Sequence, residues 1–215
     1  IEGRMLIGSW VTNPVTNRSI PILPAAFVDP RAGTGVVMSV PAHAPYDYQA
    51  LEDLKADKEA LMSYGLENVV AGIEAIKLIE SEGYTGIPAA EALRRFNVKD
   101  QNDPKLENAT ATLYAHEFHS GRMMSNTQPY SGLLVSEARV RVKTDLLDKG
   151  AADRMYDLMN RPVKCRCGAE CVVKIFENQW FIDYSNKEWK EAAREVASNM
   201  TFYPEDIRAE FEYTI

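Results

Sequence analysis

A mixed α/β fold is predicted by three patterns in the chain. Short apolar stretches separated by turn residues occupy 1–42, apolar residues recur at helical spacing over 47–114, and a glycine-centred hairpin pattern followed by an amphipathic stretch fills the region after 161. Leu6 to Val11, Ile20 to Leu23, Ala26 to Val28 and Val36 to Val40 read as strands. Thr12-Asn13-Pro14, Thr16-Asn17 and Asp29 to Gly33 read as the turns between them.

From Asp47 the period changes. Leu51, Leu54, Leu61, Ile73, Ile76 and Ile79 are spaced for buried helical stripes through residue 82, with a break near Gly65. Pro88 opens a short helix ending near Phe96, and Asn102-Asp103-Pro104 starts another that runs through Leu106 towards Tyr114. Val135 to Leu147 reads as a helix closed by Lys149 and Gly150. Val163 to Phe176 suggests a hairpin turning near Gly168, with Val172 to Phe176 as its half-buried second strand. Residues 187–200 then carry Trp189, Ala192, Val196 and Met200 on one helical side.

The most informative run is Gly33-Thr34-Gly35 through Leu51. Gly33 and Gly35 permit a close approach to the backbone, Val36, Val37, Met38 and Val40 read as a buried strand, and Pro41 ends it. A tight turn then delivers Asp47 to the start of a helix. A carboxylate at such a junction can hold a cationic ligand group such as an α-amine. It can equally cap the helix, which by pattern alone is the commoner role. His43 either orients this turn, contacts a substrate, or is satisfied internally by backbone.

Composition narrows the classes. The chain has 215 residues, 46% hydrophobic and 26% charged, enough for one large domain or two small ones. A net charge of −7 argues against a surface devoted to phosphate neutralisation. The absence of a long apolar run or a signal-peptide layout leads to the expectation of a soluble, cytoplasmic chain without membrane contact. Three clustered cysteines form no secreted-type disulfide framework. Cys165, Cys167 and Cys171 supply three of the four ligands a structural Zn²⁺ needs, so the region is either a zinc knuckle completed from elsewhere or a hairpin with free thiols. His116-Glu117-Phe118-His119 lacks the two residues between Glu and His that put both imidazoles of a zinc protease on one helical face. Phosphate-loop and dinucleotide signatures are absent.

The Gly33 to Leu51 run resembles the strand, turn and helix of the editing domain inserted in class I aminoacyl-tRNA synthetases, the leucyl enzymes of archaeal and eukaryotic-cytosolic type in particular. Leu6-Ile7-Gly8 with Asn13-Pro14, Ile22 to Pro30, Ala50 to Lys55 and Gln179 to Asn186 agree with the same family. Ile1-Glu2-Gly3-Arg4 reads either as a protease-recognition remnant or, because a glycine shortly before Leu6 fits the family pattern, as native to such a protein. The resemblance implies a small β-barrel-like core with helical insertions. It divides the chain into an editing domain over 1–160 and a hairpin and helix over 161–215 leading back to the aminoacylation domain. Within the first, 1–42 is the β core, 47–114 the helical insertion and 115–160 a return segment.

The implied reaction is hydrolysis of wrongly aminoacylated tRNA-Leu by water. Asp47 would hold the substrate amine, with His43 beside it. Met38 and Val40 would line the amino-acid pocket, and Gly33, Thr34 and Gly35 would receive the terminal adenosine. Editing implies no cofactor, whereas the parent synthetase uses ATP and Mg²⁺. The implied partners are the aminoacylated 3′ end of tRNA-Leu and the remaining synthetase domains. The family's threonine-rich peptide has no counterpart in residues 1–215. The competing expectation is a noncatalytic docking module in which Asp47 only caps its helix.

Overall fold

The computed structural model describes residues 2–160 and 162–215. The chain divides into two compact units, Ile1–Met155 and Tyr156–Ile215.

The first unit opens with a hairpin. Strands β1 (Trp10–Thr12) and β2 (Ser19–Pro21) pair antiparallel, with Val11 opposite Ile20. The Asn13 carboxamide accepts the amides of Val15 and Thr16 and shapes the turn, and Asn17 takes the left-handed conformation that asparagine tolerates. Six helices follow. Pro45 opens α1 (Pro45–Ala56) and Pro88 opens α4 (Pro88–Phe96), each where a missing amide proton costs nothing. The Asp57 side chain caps α2 (Lys58–Tyr64) through the Ala60 amide, and Gly65 ends it at φ 63°. α3 (Glu67–Ala71), α5 (Lys105–Ser120) and α6 (Val135–Asp148) complete the set.

Two apolar clusters hold this unit together. Leu51 and Leu54 of α1 meet Leu61, Leu66 and Val70 from the α2–α3 region, with Ile7 and Leu23 packed against them. Tyr84, Ala89, Ala92 and Leu113 form the second cluster, where α4 meets α5. Leu66, Val70, Leu106 and Leu113 are sealed from solvent. The stripe Leu106, Ala109, Thr110, Leu113 and Glu117 is the buried face of α5.

Several sequence expectations are corrected. The β-barrel-like core does not form: among the described residues the sheets are two separate two-stranded pairs. Val36 to Val40 is neither a strand nor buried. Val36, Val37, Met38 and Val40 are all exposed, because no described segment supplies the paired backbone that a central strand requires. Ala26 to Val28 is a turn following Pro24, which has no amide proton to give a ladder. The helical reading of 47–82 holds only to Ala71. Residues 73–78 form no regular element, and β3 (Ile79–Glu80) pairs antiparallel with β4 (Arg122–Met123). A long-range pairing of Ile79 with Met123 and Glu80 with Arg122 overrides the three-residue spacing of Ile73, Ile76 and Ile79.

In the second unit, a turn at 166–168 brings Lys164 opposite Glu170 in a single antiparallel bridge, with Gly168 at φ 84°. The expected second strand, Val172 to Phe176, does not form, and its residues belong to no regular element and face solvent. Asn186 caps α7 (Lys187–Ser198) through the Trp189 amide. α8 (Ile207–Thr214) follows, and Phe202 packs its ring near Phe211 at 5.3 Å.

Candidate functional site

Residues 40–47 form a knot of short-range bonds at the head of α1. The Val40 carbonyl accepts the amides of His43 (2.9 Å) and Ala44 (3.0 Å), closing the turn around Pro41 and Ala42. The Ala42 carbonyl accepts the Ala89 amide at 3.0 Å and so pins the turn to the start of α4. Ala42, His43, Ala44, Pro45 and Asp47 are all buried.

Asp47 lies in the first turn of α1, where its charge complements the helix dipole. Its Oδ2 accepts the Val40 amide at 2.6 Å, and the Ser39 hydroxyl bonds to the same carboxylate. Burial pushes the carboxyl above its ordinary range, and the two hydrogen bonds only partly offset that. Among the described residues no cationic side chain forms an ion pair with it. Tyr114 of α5 stands within electrostatic reach: its phenol is pushed up first by burial, then by the charges of Asp47 and Glu117.

His43 is more tightly held than the sequence suggests. Its Nδ1 lies 2.7 Å from Oε1 of Glu117, itself only 3% exposed. Its Nε2 accepts the amides of Leu78 (2.8 Å) and Ile79 (3.2 Å). An atom that accepts an N–H carries no proton, so the ring has its proton on Nδ1 and donates it to Glu117. Both nitrogens are therefore engaged with protein groups, but with a carboxylate and two amides rather than a backbone carbonyl.

Glu117 was missed by sequence reasoning, which dismissed it with a mis-spaced metal motif. The available signal was its position: a carboxylate on the apolar stripe of α5 is costly unless a donor meets it.

The glycine-flanked segment is a tight turn. Gly33 and Gly35 have φ of 60° and 72°, and a side chain at Gly35 would meet the Pro30 carbonyl oxygen at 2.9 Å. The group that approaches Gly35 is thus the chain's own backbone, while the space over Gly33 is open. The Thr34 hydroxyl donates to the Val36 carbonyl at 3.2 Å. A groove of about 360 Å³ runs between α1 and α4, lined by Tyr48, Gln49, Ala90, Leu93, Arg94, Asn97 and Val98. None of the residues expected to bind substrate lines it.

Cys165 and Cys167 are joined as a disulfide, and Cys171 is free. Two of the three sulfurs expected for zinc are thereby removed as thiolate ligands, and among the described residues no cluster of three His, Cys, Asp or Glu can hold a metal. No described helix is long and apolar enough to cross a membrane.

Residues 2–102 match the family model described as "Leucyl-tRNA synthetase, editing domain". A leucine–tRNA ligase of Methanothermobacter thermautotrophicus is 52% identical over 98% of the chain, and one of Methanopyrus kandleri is 50% identical over all of it. These alignments take in 22% and 23% of the two relatives, so the chain spans about a fifth of their length. The P. knowlesi cytosolic leucyl-tRNA synthetase editing domain superposes over 70% of this chain and 50% of its own, with a TM-score of 0.64 at 21% identity. That of P. falciparum superposes over 69% and 49%, with a TM-score of 0.63 at 22% identity. At such identities the likeness is one of fold.

Proposed function

The chain belongs to the family of leucyl-tRNA synthetase editing domains, and from that premise we propose that it serves the hydrolytic removal of wrong amino acids from tRNA-Leu. An apolar pocket separates side chains differing by one methylene by only about 1–3 kcal/mol, so a second, hydrolytic selection has a clear physical purpose.

The observation that carries this reading is Asp47, a buried carboxylate with two hydrogen bonds and no cation beside it among the described residues. Such a group is poised to take up a substrate ammonium, which would repay its desolvation with a charge-assisted hydrogen bond. The exposed apolar side chains of Met38 and Val40, on the segment whose Val40 amide and Ser39 hydroxyl bond to Asp47, would flank the aliphatic group. Gly33, Thr34 and Gly35 would receive the terminal adenosine. Water would attack the ester carbonyl, and the ester C–O bond would break with the ribose hydroxyl leaving. Asp47 acts in this scheme as an anchor, and His43, with both nitrogens occupied, as a brace for the turn.

The partners are the aminoacylated 3′ end of tRNA-Leu and the other domains of a cytoplasmic synthetase. ATP and Mg²⁺ belong to the aminoacylation reaction of that larger enzyme, and editing uses neither.

A second reading is favoured by the 2.6 Å bond from the Val40 amide to Asp47: the carboxylate already has a structural duty, as in a noncatalytic docking module. The two readings part on one assay. In the synthetase carrying this segment, Asp47→Ala should slow deacylation of isoleucyl-tRNA-Leu by about tenfold or more, as expected for loss of a desolvated charge contact. Unchanged deacylation would leave the docking module standing.

A further inference from the structure

We propose that Glu117 is a positioning residue for the Asp47 site, acting through His43; the inference rests on the editing reading above and names a part of its machinery. The chain of contacts is continuous. Glu117 on α5 receives the Nδ1 proton of His43 at 2.7 Å, and His43 Nε2 receives the amides of Leu78 and Ile79, just before and at the start of β3. The ring thereby ties the 40–44 turn to two other elements at once. The same turn begins at the Val40 carbonyl that accepts the amides of His43 and Ala44, and the Val40 amide is the donor to Asp47 Oδ2. Only three residues separate the braced imidazole from the buried carboxylate, all of them buried or half-buried.

The brace has little slack. Between α5 and β3, a side chain at Gly121 would meet the Glu117 carbonyl oxygen at 2.5 Å and Ile79 Cγ2 at 2.7 Å, so those two elements are packed backbone against side chain where His43 joins them. Glu117 and His43 are 3% and 5% exposed, which leaves no solvent to substitute for either partner. A buried carboxylate on an otherwise apolar helical stripe is costly. What it secures here is the orientation of one ring, hence of the turn that presents Asp47. Displacing an anchoring group by about 1 Å is sufficient to cost about a hundredfold in rate.

The test compares Glu117→Gln, Glu117→Asp, Glu117→Leu and Asp47→Ala in the synthetase carrying this segment, measuring deacylation of isoleucyl-tRNA-Leu and aminoacylation with leucine. Gln keeps an oxygen that accepts the Nδ1 proton at the same reach, Asp withdraws it by one carbon–carbon bond, and Leu abolishes it. The expected result is deacylation kcat/KM lowered about tenfold or more by Asp and Leu, restored to within about threefold by Gln, and aminoacylation changed less than about twofold throughout. Long-range ¹H–¹⁵N correlation of the His43 ring should show the Nδ1–H tautomer with a hydrogen-bonded Nδ1 proton in the wild type and Gln variant. The Leu variant should lose the hydrogen-bonded shift of that proton, while the Leu78 and Ile79 amides still hold Nε2 unprotonated.

Deacylation within about twofold of wild type for Glu117→Asp, alongside an impaired Asp47→Ala, overturns the positioning role while leaving the editing reading intact. So does a Gln variant as impaired as Leu. If Glu117→Leu does not fold, Asp and Gln decide the matter alone. An unimpaired Asp47→Ala overturns the editing reading itself, and this inference with it.

Discussion

The turn at 40–47 and the turn at 163–171 each gather chemistry-bearing residues, His43 and Asp47 in one and three cysteines in the other, and they are built in opposite ways. The first is buried from Ala42 to Pro45 and at Asp47, and its His43 is joined by side-chain bonds to residues 74, 35 and 36 positions away in sequence. The second is closed by its own backbone, Cys165 to Ala169 and Cys171 to Val163, and its cysteine-bearing residues face solvent or are half-buried. Sequence density of reactive side chains therefore says little about where a site is organised. What organises one is the number of distant elements that converge on it, because each convergent bond removes a freedom that a local turn retains.

The sharpest way to break this contrast is to strike the supports of the two turns. Leu113→Ala empties a sealed position between α4 and α5 and should cost about 2–5 kcal/mol in urea unfolding, whereas Val172→Ala, at an exposed position, should change it by less than about 0.5 kcal/mol. A Leu113→Ala variant as stable as wild type would mean that the first unit is not held by the packing described.

His43→Ala should cost about 3 kcal/mol, because it strips a buried carboxylate of its donor and two amides of their acceptor. Cys165→Ser opens a loop of only three residues and should cost no more than about 2 kcal/mol. Reversal of that order would place the stronger constraint in the cysteine turn.

The smallest effect concerns Asp47 and carries a sign. Burial holds its carboxyl above the usual range in the folded chain, so the folded state keeps this proton to higher pH than the unfolded state does. Its contribution to stability is fully present below the unfolded carboxyl's titration and is lost as pH rises through the folded one. Asp47→Asn should therefore match the wild type in acid and exceed it in stability at neutral pH, in paired urea titrations. A wild type that gains on the Asn variant with rising pH would show that Asp47's hydrogen bonds outweigh its burial. A carboxylate kept at a cost to stability is the pattern expected of a functional group.

Much of the helical body was legible. Pro88 marks a helix start, Gly150 marks an end, and α4, α5, α6 and α7 lie where the sequence pattern puts helices. The side of α7 expected to be apolar and packed is not: Trp189, Ala192, Val196 and Met200 are exposed, and the buried residue of that helix is Ala197. The β content was less so. Val36 to Val40 has the composition of a buried strand, yet burial depends on a pairing partner that composition does not specify, and the segment lies exposed. Ile73 to Ile79 satisfied a helical period by chance, and its fate was decided by Arg122–Met123, more than forty positions away. In the candidate site, Asp47 and His43 were visible from local pattern. Glu117 was not, because its meaning lies in a contact with a residue 74 positions earlier that no local motif encodes.

The most direct measurement is a structure of the protein with a nonhydrolysable leucine-like aminoacyl-adenosine analogue bound. The expected result is the ligand's ammonium within hydrogen-bond distance of Asp47, its adenosine over the open face of Gly33 and its side chain against Met38 and Val40. An analogue seated elsewhere, in the groove between Tyr48 and Val98 for example, with Asp47 still bonded only to Ser39 and Val40, would contradict the assignment of this carboxylate as the substrate anchor.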